Sequence, residues 1–434
     1  MIHQRVQVTL SHVEVISSAA IRRKPGVEPA TIEIDSGARS VFPHVGVALS
    51  DTDEVLSDTS IQRLRALHLA HLRVDLRPDR GDYEPLLHRA ARESRQIGAP
   101  LEIAVFLSDR PENELKKLRS VLDRLPLQVA RWLVFQESDH TTSERGVQAA
   151  REFLLDYHPS ALIGGGTDAN FAELNRSRLP LQLLDFLTYS LNPQVHAFDD
   201  VSLVENLKAQ TATVDRARAL AGKLPVMISP VTLKPRFNAV ATGAASVTGR
   251  LLPEQVDPRQ ASLFGAGWTV GSLRHLCASG VVALTYYETI GWRGLMESES
   301  DSPLPGLSAS FLGGVFPMYH VFADVGEFAG GYALPSESSS SRIAEALVLS
   351  KNGSIVILLA NLTTSRQTVR IVAPGVGGPI RVRSLDEETA NIAITIPDSF
   401  RLEIHDARAS GLDCAEFDLS PLAVVRLEGF GPSE

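Results

Sequence analysis

At 434 residues the chain is long enough for roughly three domains of about 150 residues, or one large barrel with a smaller partner, so a single small core is excluded. Hydrophobic residues at 44% and charged residues at 21% fit a folded, water-soluble protein and exclude disorder and fibrous repeats. With 42 Lys and Arg against 51 Asp and Glu, the net charge of -9 offers no attraction to a phosphate backbone or an anionic membrane, so neither nucleic acid nor membrane is an expected partner.

Residues 1–42 hold β-like alternations, VQVTL with VEVI and then TIEIDS, around the turn RRKPG. They read as an N-terminal β segment. The alternation in MIHQRVQVTLSHVEV also lacks the continuous apolar run of a secretory signal. No stretch approaches the roughly 20 apolar residues that span a bilayer. Cys277 and Cys414 are the only cysteines and stand far apart, in no disulfide or zinc spacing. A reducing, cytoplasmic setting is expected.

From residue 43 to about 330 short apolar runs alternate with amphipathic helical segments. Eight strands are expected at 45–50, 71–77, 101–107, 131–137, 161–170, 186–192, 225–233 and 281–288. Helices are expected at 58–69, 82–98, 111–125, 147–158 and 202–222, with a further helical segment at 311–328. Asp58 should open the first helix, Pro111 should sit in the first turn of the third, and Gly222 should close the longest. Eight such units predict an α/β fold, a (β/α)8 barrel of the glycoside-hydrolase kind. A doubly wound sheet is the rival, but VGVALSDTDE carries no Gly-rich phosphate loop. After a flexible loop at SESSSS, residues 331–434 alternate as strands (IAEALVLS, SIVILLANL, TVRIVA, IRVRSL, IAITI, RLEIH, AVVRLEG) and predict a C-terminal β-sandwich.

In such barrels the chemistry gathers at the C-terminal ends of the strands. Glu137 ends the fourth strand, and Tyr287 and Glu288 end the eighth, which suggests paired carboxylates for acid and base work; rim salt bridges are the structural alternative. The fifth strand leads through Gly164, Gly165 and Gly166, an anion loop or simply a turn, to Asp168 and Asn170. The sixth leads to Asn192, Gln194 and His196, amide groups and an imidazole that either meet substrate or brace the loop. Lys234 and Arg236 follow the seventh strand, ahead of a polar loop at 238–257, and suit a carboxylate or a developing oxyanion. Trp292 and Arg293 offer a sugar-stacking face and an anion contact. There is no GxSxG, HExxH, Walker A or Rossmann fingerprint, so no cofactor or metal is expected; a metal shared by His44, Asp75, Asp168 and His196 is the less favoured alternative.

The strings GTDANFAELNR, SLNPQVHAFDD, SPVTLKPRFN, VDPRQASLFGAGWT, TYYETIGWRG and VFPMYHVFADVGEF resemble the D-apionate lactonases of bacterial apiose catabolism, from about Gly46 through the C-terminal β-region. The resemblance implies a barrel flanked by N- and C-terminal β-domains, with the 42 residues before this barrel as the remnant of the first. It implies hydrolysis of D-apionolactone, a small branched sugar lactone, to D-apionate.

On that reading Glu137 is the base that activates water. Glu288 protonates the leaving ring oxygen or binds a hydroxyl, with His196 the competing acid, and Lys234 or Arg236 stabilises the oxyanion. Asp168, Asn170, Asn192, Tyr287, Trp292 and Arg293 would complete the substrate site. A glycoside hydrolase using Glu137 and Glu288 is the second expectation, although strands four and eight stand on opposite sides of a barrel and a retaining pair needs about 5 to 5.5 Å. A carbohydrate-binding protein without turnover is the third.

Overall fold

The computed structural model describes residues 28–236, 252–299, 311–402, 406–408 and 411–430. The alternations VQVTL and VEVI, the RRKPG turn and most of the loop at 238–257 lie outside them.

Eight parallel strands form a closed barrel: His44–Ala48, Leu72–Leu76, Leu101–Leu107, Val129–Gln136, Leu162–Thr167, Leu187–Leu191, Val226–Val231 and Ala283–Ile290. Closure is made by the eighth strand, where Ala283 sits opposite both His44 of the first and Met227 of the seventh.

Each strand is followed by a helix: Asp58–Arg65, Tyr83–Ile97, Pro111–Leu122, Glu144–Leu154, Phe171–Arg176, Asp200–Ala221, Leu263–Ala278 and Pro317–Glu327. Local chemistry sets their ends. Ser57, not Asp58, caps the first, its Oγ accepting from the Ser60 N–H at 3.2 Å, and Asp58 falls in the first turn where its charge suits the helix dipole. Pro111 lies in the first turn of the third helix and Gly222 ends the long one, as expected. In Tyr83–Ile97, Leu87, Ala90, Ala91, Ser94 and Ile97 make one buried stripe at helical spacing.

The seventh helix was not expected, for a physical reason. LFGAGWTVGSLRHLCA is buried on nearly every side, so it has no polar face to reveal its period. It lies between barrel and sandwich: Trp268 Nε1 donates to the Leu203 carbonyl at 3.0 Å, while a β-carbon on Gly267 would lie 3.4 Å from Leu362.

The C-terminal region is a two-sheet sandwich. One sheet runs in spatial order Ser336–Ser338, Ala30–Ile34, Gln367–Val372, Ala415–Leu419. The other runs Asp406–Arg408, Gly377–Leu385, Val424–Phe430, Ser354–Asn361, Ala344–Lys351, Tyr332–Leu334, Ser40–Val41. Ile32, Ile34, Val348, Ile357, Val369 and Phe417 pack between them. The alternate residues Leu347, Leu349, Val356 and Leu358 face the other way and join the barrel's own core. The TIEIDS segment is thus a working strand of the sandwich, antiparallel to Ser336–Ser338 and parallel to Gln367–Val372.

The serine run is not a loop throughout: Ser336–Ser338 is a strand, with Ser336 Oγ donating to the Ala346 carbonyl. IAITI is not a strand but lies in and just past the helix Ala390–Thr395, because Asp386 and Thr389 build a hydrogen-bonded turn that starts it and Ala393 is buried; tertiary contacts override β-branched propensity. Arg401 and Leu402 of RLEIH end a second short helix, Pro397–Leu402, and the rest of that string lies outside the described residues. Among the described residues no helix is long and apolar enough to cross a membrane.

Candidate active site

The barrel interior is only partly apolar. Ala104, Phe106, Leu133, Phe135 and Met227 form an inner cluster separate from the main core. Beside it lies a charged network, rooted in strand two, where the alternation of Leu72, Val74 and Leu76 toward the helices leaves Arg73 and Asp75 facing inward.

Glu102 anchors the network near the barrel floor. It accepts from Thr285 Oγ1 at 2.9 Å and from Ser229 Oγ, and lies 3.3 Å from Arg131 Nε. Complete burial, reinforced by Arg131, pushes the His71 imidazole down to about 3, so it is neutral, with Nε2 2.7 Å from Thr285 Oγ1. One layer up, Arg73 donates to Asp75 Oδ1 at 2.8 Å, Ser229 Oγ at 3.0 Å and Asp168 Oδ1 at 2.5 Å. Arg236 donates to Asp75 Oδ2 at 2.7 Å. Burial alone would raise the Asp75 pKa, but Arg236 and Arg73 outweigh it and hold the carboxyl well below the usual range.

The other terminal nitrogen of Arg236, Nη1, is buried and makes no hydrogen bond among the described residues; Asp168 Oδ1 is 3.8 Å away. A buried donor without an acceptor is costly unless a ligand completes it.

At the rim a β-bulge decides which side chains enter. Tyr286 pairs with Val47 and Glu288 with Ala48, so Tyr287 is the extra residue, and its φ is 38°. Both tyrosines consequently turn outward, Tyr286 to Ser272 and Tyr287 to Thr269, at 2.8 and 2.9 Å. Tyr287 therefore offers no hydroxyl to a substrate. Glu288 is instead aimed at the mouth, and the turn through Gly291 brings the Arg293 carbonyl to the Glu288 N–H at 2.9 Å. Burial pushes the Glu288 carboxyl up to about 7; Arg293, 2.9 Å away, and Arg236 oppose the rise, and Asp51 adds to it.

Arg73, Asp75, His140, Asp168, Arg236 and Glu288 border one cavity of about 360 Å³. Past Asp168 and Arg236 it meets a larger lobe of about 790 Å³ that holds Asn170, Asn192, His196 and Lys234. Past Glu288 and Arg293 it meets a lobe of about 670 Å³ walled in part by Trp292.

Of the residues singled out in the sequence, Asp168, Arg236, Glu288 and Arg293 therefore converge. Asn170 and Lys234 reach the side lobe but are engaged locally, Asn170 capping the helix Phe171–Arg176 and Lys234 Nζ donating to the Val256 carbonyl at 3.0 Å. Asn192 Oδ1 is buried there without a hydrogen-bond partner among the described residues. His196 sits on an exposed loop of the same lobe and does not border the central cavity. Glu137 does not border it either; its carboxylate is clamped by Arg77 at 3.1 Å and by Arg80. The retaining-glycosidase geometry needs Glu137 and Glu288 on one pocket, and they share none of the cavities described. His44 begins its strand, at the opposite end of the barrel from Asp168, so the four residues weighed as a metal set do not meet.

Sequence reasoning passed over Arg73, Ser229 and His140, and read Asp75 only as a metal candidate. The available signal was charge at alternate positions of the strand HLRVDLR, where a barrel strand ordinarily points apolar side chains inward. Gly164–Gly166 are neither an anion loop nor a turn. They lie in strand five, where a β-carbon on Gly166 (φ 148°) would come within 2.0 Å of the Thr188 carbonyl oxygen.

Several solved structures share the fold. A glucosidase from Croceicoccus marinus superposes with a TM-score of 0.60 at 14% identity, over 93% of this chain and 99% of that one. The family 51 α-L-arabinofuranosidase AbfB from Bifidobacterium longum gives 0.60 at 12% identity, over 93% and 100%. A D-apionate lactonase from Brucella anthropi is 25% identical over 321 residues, covering 70% of this chain and 51% of the relative, so the chain spans about half the length of the curated relative it matches. Residues 45–330 match the D-apionate lactonase TIM-barrel domain and residues 341–427 its C-terminal immunoglobulin-like domain. The chain belongs to the D-apionate lactonase family.

Proposed function

We propose that this protein is a lactonase that hydrolyses D-apionolactone to D-apionate. The observation that carries the reading is the pairing, at the barrel mouth of a chain from this family, of a buried carboxyl near pKa 7 with a buried arginine donor that has no hydrogen-bond acceptor among the described residues.

Opening a lactone requires three things: a proton acceptor for water, stabilisation of the oxyanion at the former carbonyl, and a proton for the ring oxygen as it leaves. Arg236 Nη1 supplies the second, a fixed positive donor already held by Asp75 and needing no rearrangement. Glu288 supplies the third, because a carboxyl that titrates near 7 is substantially protonated at neutral pH and is matched to proton transfer there. Arg293 orients it, and Trp292 walls an adjoining lobe with room for the branched hydroxyls.

The test is acid release from D-apionolactone by the purified chain, with other aldonolactones and aryl glycosides alongside. Turnover of the lactone supports the reading. A folded protein that cleaves glycosides and leaves lactones intact overturns it, and tight lactone binding without product would make it a binding protein.

A further inference from the structure

We propose that His140, set against Asp168, is the base that activates the hydrolytic water, in the role the sequence suggested for Glu137; this rests on the lactonase reading above. His140 follows the fourth barrel strand and has a φ of 57°, a left-handed conformation uncommon for a side chain of its size. The surrounding turn enforces it. Asp139 Oδ1 accepts from the Thr141 N–H and hydroxyl at 2.9 and 2.8 Å, and the His140 N–H donates to the Gln136 carbonyl at 3.0 Å. The His140 carbonyl accepts from the Asp168 N–H at 2.9 Å and Thr167 Oγ1 at 3.0 Å.

These bonds tie the turn to the end of strand five and bring the imidazole to Asp168. Nδ1 lies 3.9 Å from Asp168 Oδ2, while Oδ1 of the same carboxylate binds Arg73. The ring meets Phe106 edge-on at 5.5 Å, and Arg77 covers that phenyl ring at 4.2 Å. One carboxylate thus serves two elements, and the imidazole borders the same cavity as Arg236 and Glu288.

The charged groups that act on the ring are Asp168, Arg77, Glu137 and Asp139. Burial lowers the imidazole's pKa despite the three carboxylates and so favours the neutral ring, while burial moves Glu288 the opposite way. Two titratable groups whose environments drive them apart divide naturally into base and acid.

A water oxygen bonds to the lactone carbonyl carbon, its proton passes to His140 Nε2, and the carbonyl π pair becomes an oxyanion against Arg236. Asp168 stabilises the imidazolium. Collapse breaks the bond from that carbon to the ring oxygen, which takes the Glu288 proton. The product acid ionises to solvent, and the imidazolium returns its proton to the Glu288 carboxylate.

His140→Asn tests this with the backbone preserved, since Asn tolerates the left-handed region. On D-apionolactone the variant should lose about 10²- to 10⁴-fold in kcat, with KM little changed and the acidic limb of the pH profile gone. In His140→Gly, added imidazole should restore rate in proportion to its neutral fraction, a response that a merely structural ring would not give. An active wild type with His140→Asn within about threefold of it, far short of a general base's effect, or His140→Gly unresponsive to imidazole, would overturn the base assignment alone. A folded wild type inert on every lactone would remove the lactonase reading, and this role with it.

Discussion

At the scale of single residues, Glu288 and Glu137 look alike in sequence, each a glutamate at a strand exit, and the fold separates them. Glu288 is buried against Arg293, and Glu137 is clamped by Arg77 and Arg80 outside the central cavity. If Glu288 donates its proton to the leaving oxygen, kcat should fall as pH rises through about 7, and Glu288→Gln should lower the rate and erase that alkaline limb. Steady-state kinetics between pH 5 and 9 check both. Glu137→Gln should cost less than about tenfold, well below the loss of a general base. Strand-end position was legible in sequence, and four residues singled out by it, Asp168, Arg236, Glu288 and Arg293, border one cavity. The bulge at Tyr287 was not, because a one-residue shift in pairing leaves no mark on composition yet turns both tyrosines away from the mouth. His140 was hidden for a related reason: ESDHTTS reads as an ordinary turn, and only the contacts to Gln136, Thr167 and Asp168 give the imidazole its place.

At the scale of elements, all eight barrel strands were legible, since each is a short apolar run. The longer helices with one wet face were legible too, but the six-residue Phe171–Arg176 was not. The helix Leu263–Ala278 was not, because burial by sandwich and barrel together removes the contrast on which periodicity depends. Its burial makes it intolerant of cavities: Trp268→Ala should cost about 3–5 kcal/mol in chemical denaturation. Strand five is intolerant of added atoms. Gly166→Ala drives a β-carbon into the Thr188 carbonyl at a φ that side chains rarely adopt, and thermal unfolding should show a loss of about 2–4 kcal/mol.

At the scale of the whole molecule, the barrel and sandwich are joined by charge as well as by apolar packing. Asp324, on the helix Pro317–Glu327, pairs with Arg383, Arg401 and Arg426, the first and last of them on sandwich strands. Burial would raise its pKa, but the three arginines outweigh it and hold the carboxyl far below its ordinary value. The sign follows: a depressed native pKa stabilises above the unfolded value and is lost as pH falls through about 4 and below. Asp324→Asn should cost about 3–5 kcal/mol by leaving buried guanidinium groups uncompensated, and should flatten the acid dependence of unfolding. The sandwich's β-character was legible in sequence, but the partner of the strand Ala30–Ile34 was not, because nothing local encodes a pairing across nearly the full chain. That pairing has a consequence for synthesis on the ribosome. Ala30–Ile34 emerges before the barrel, yet its two neighbours, Ser336–Ser338 and Gln367–Val372, are made only after the entire barrel. Early in translation it is an unpartnered strand edge, exposed to mispairing until the last part of the chain arrives.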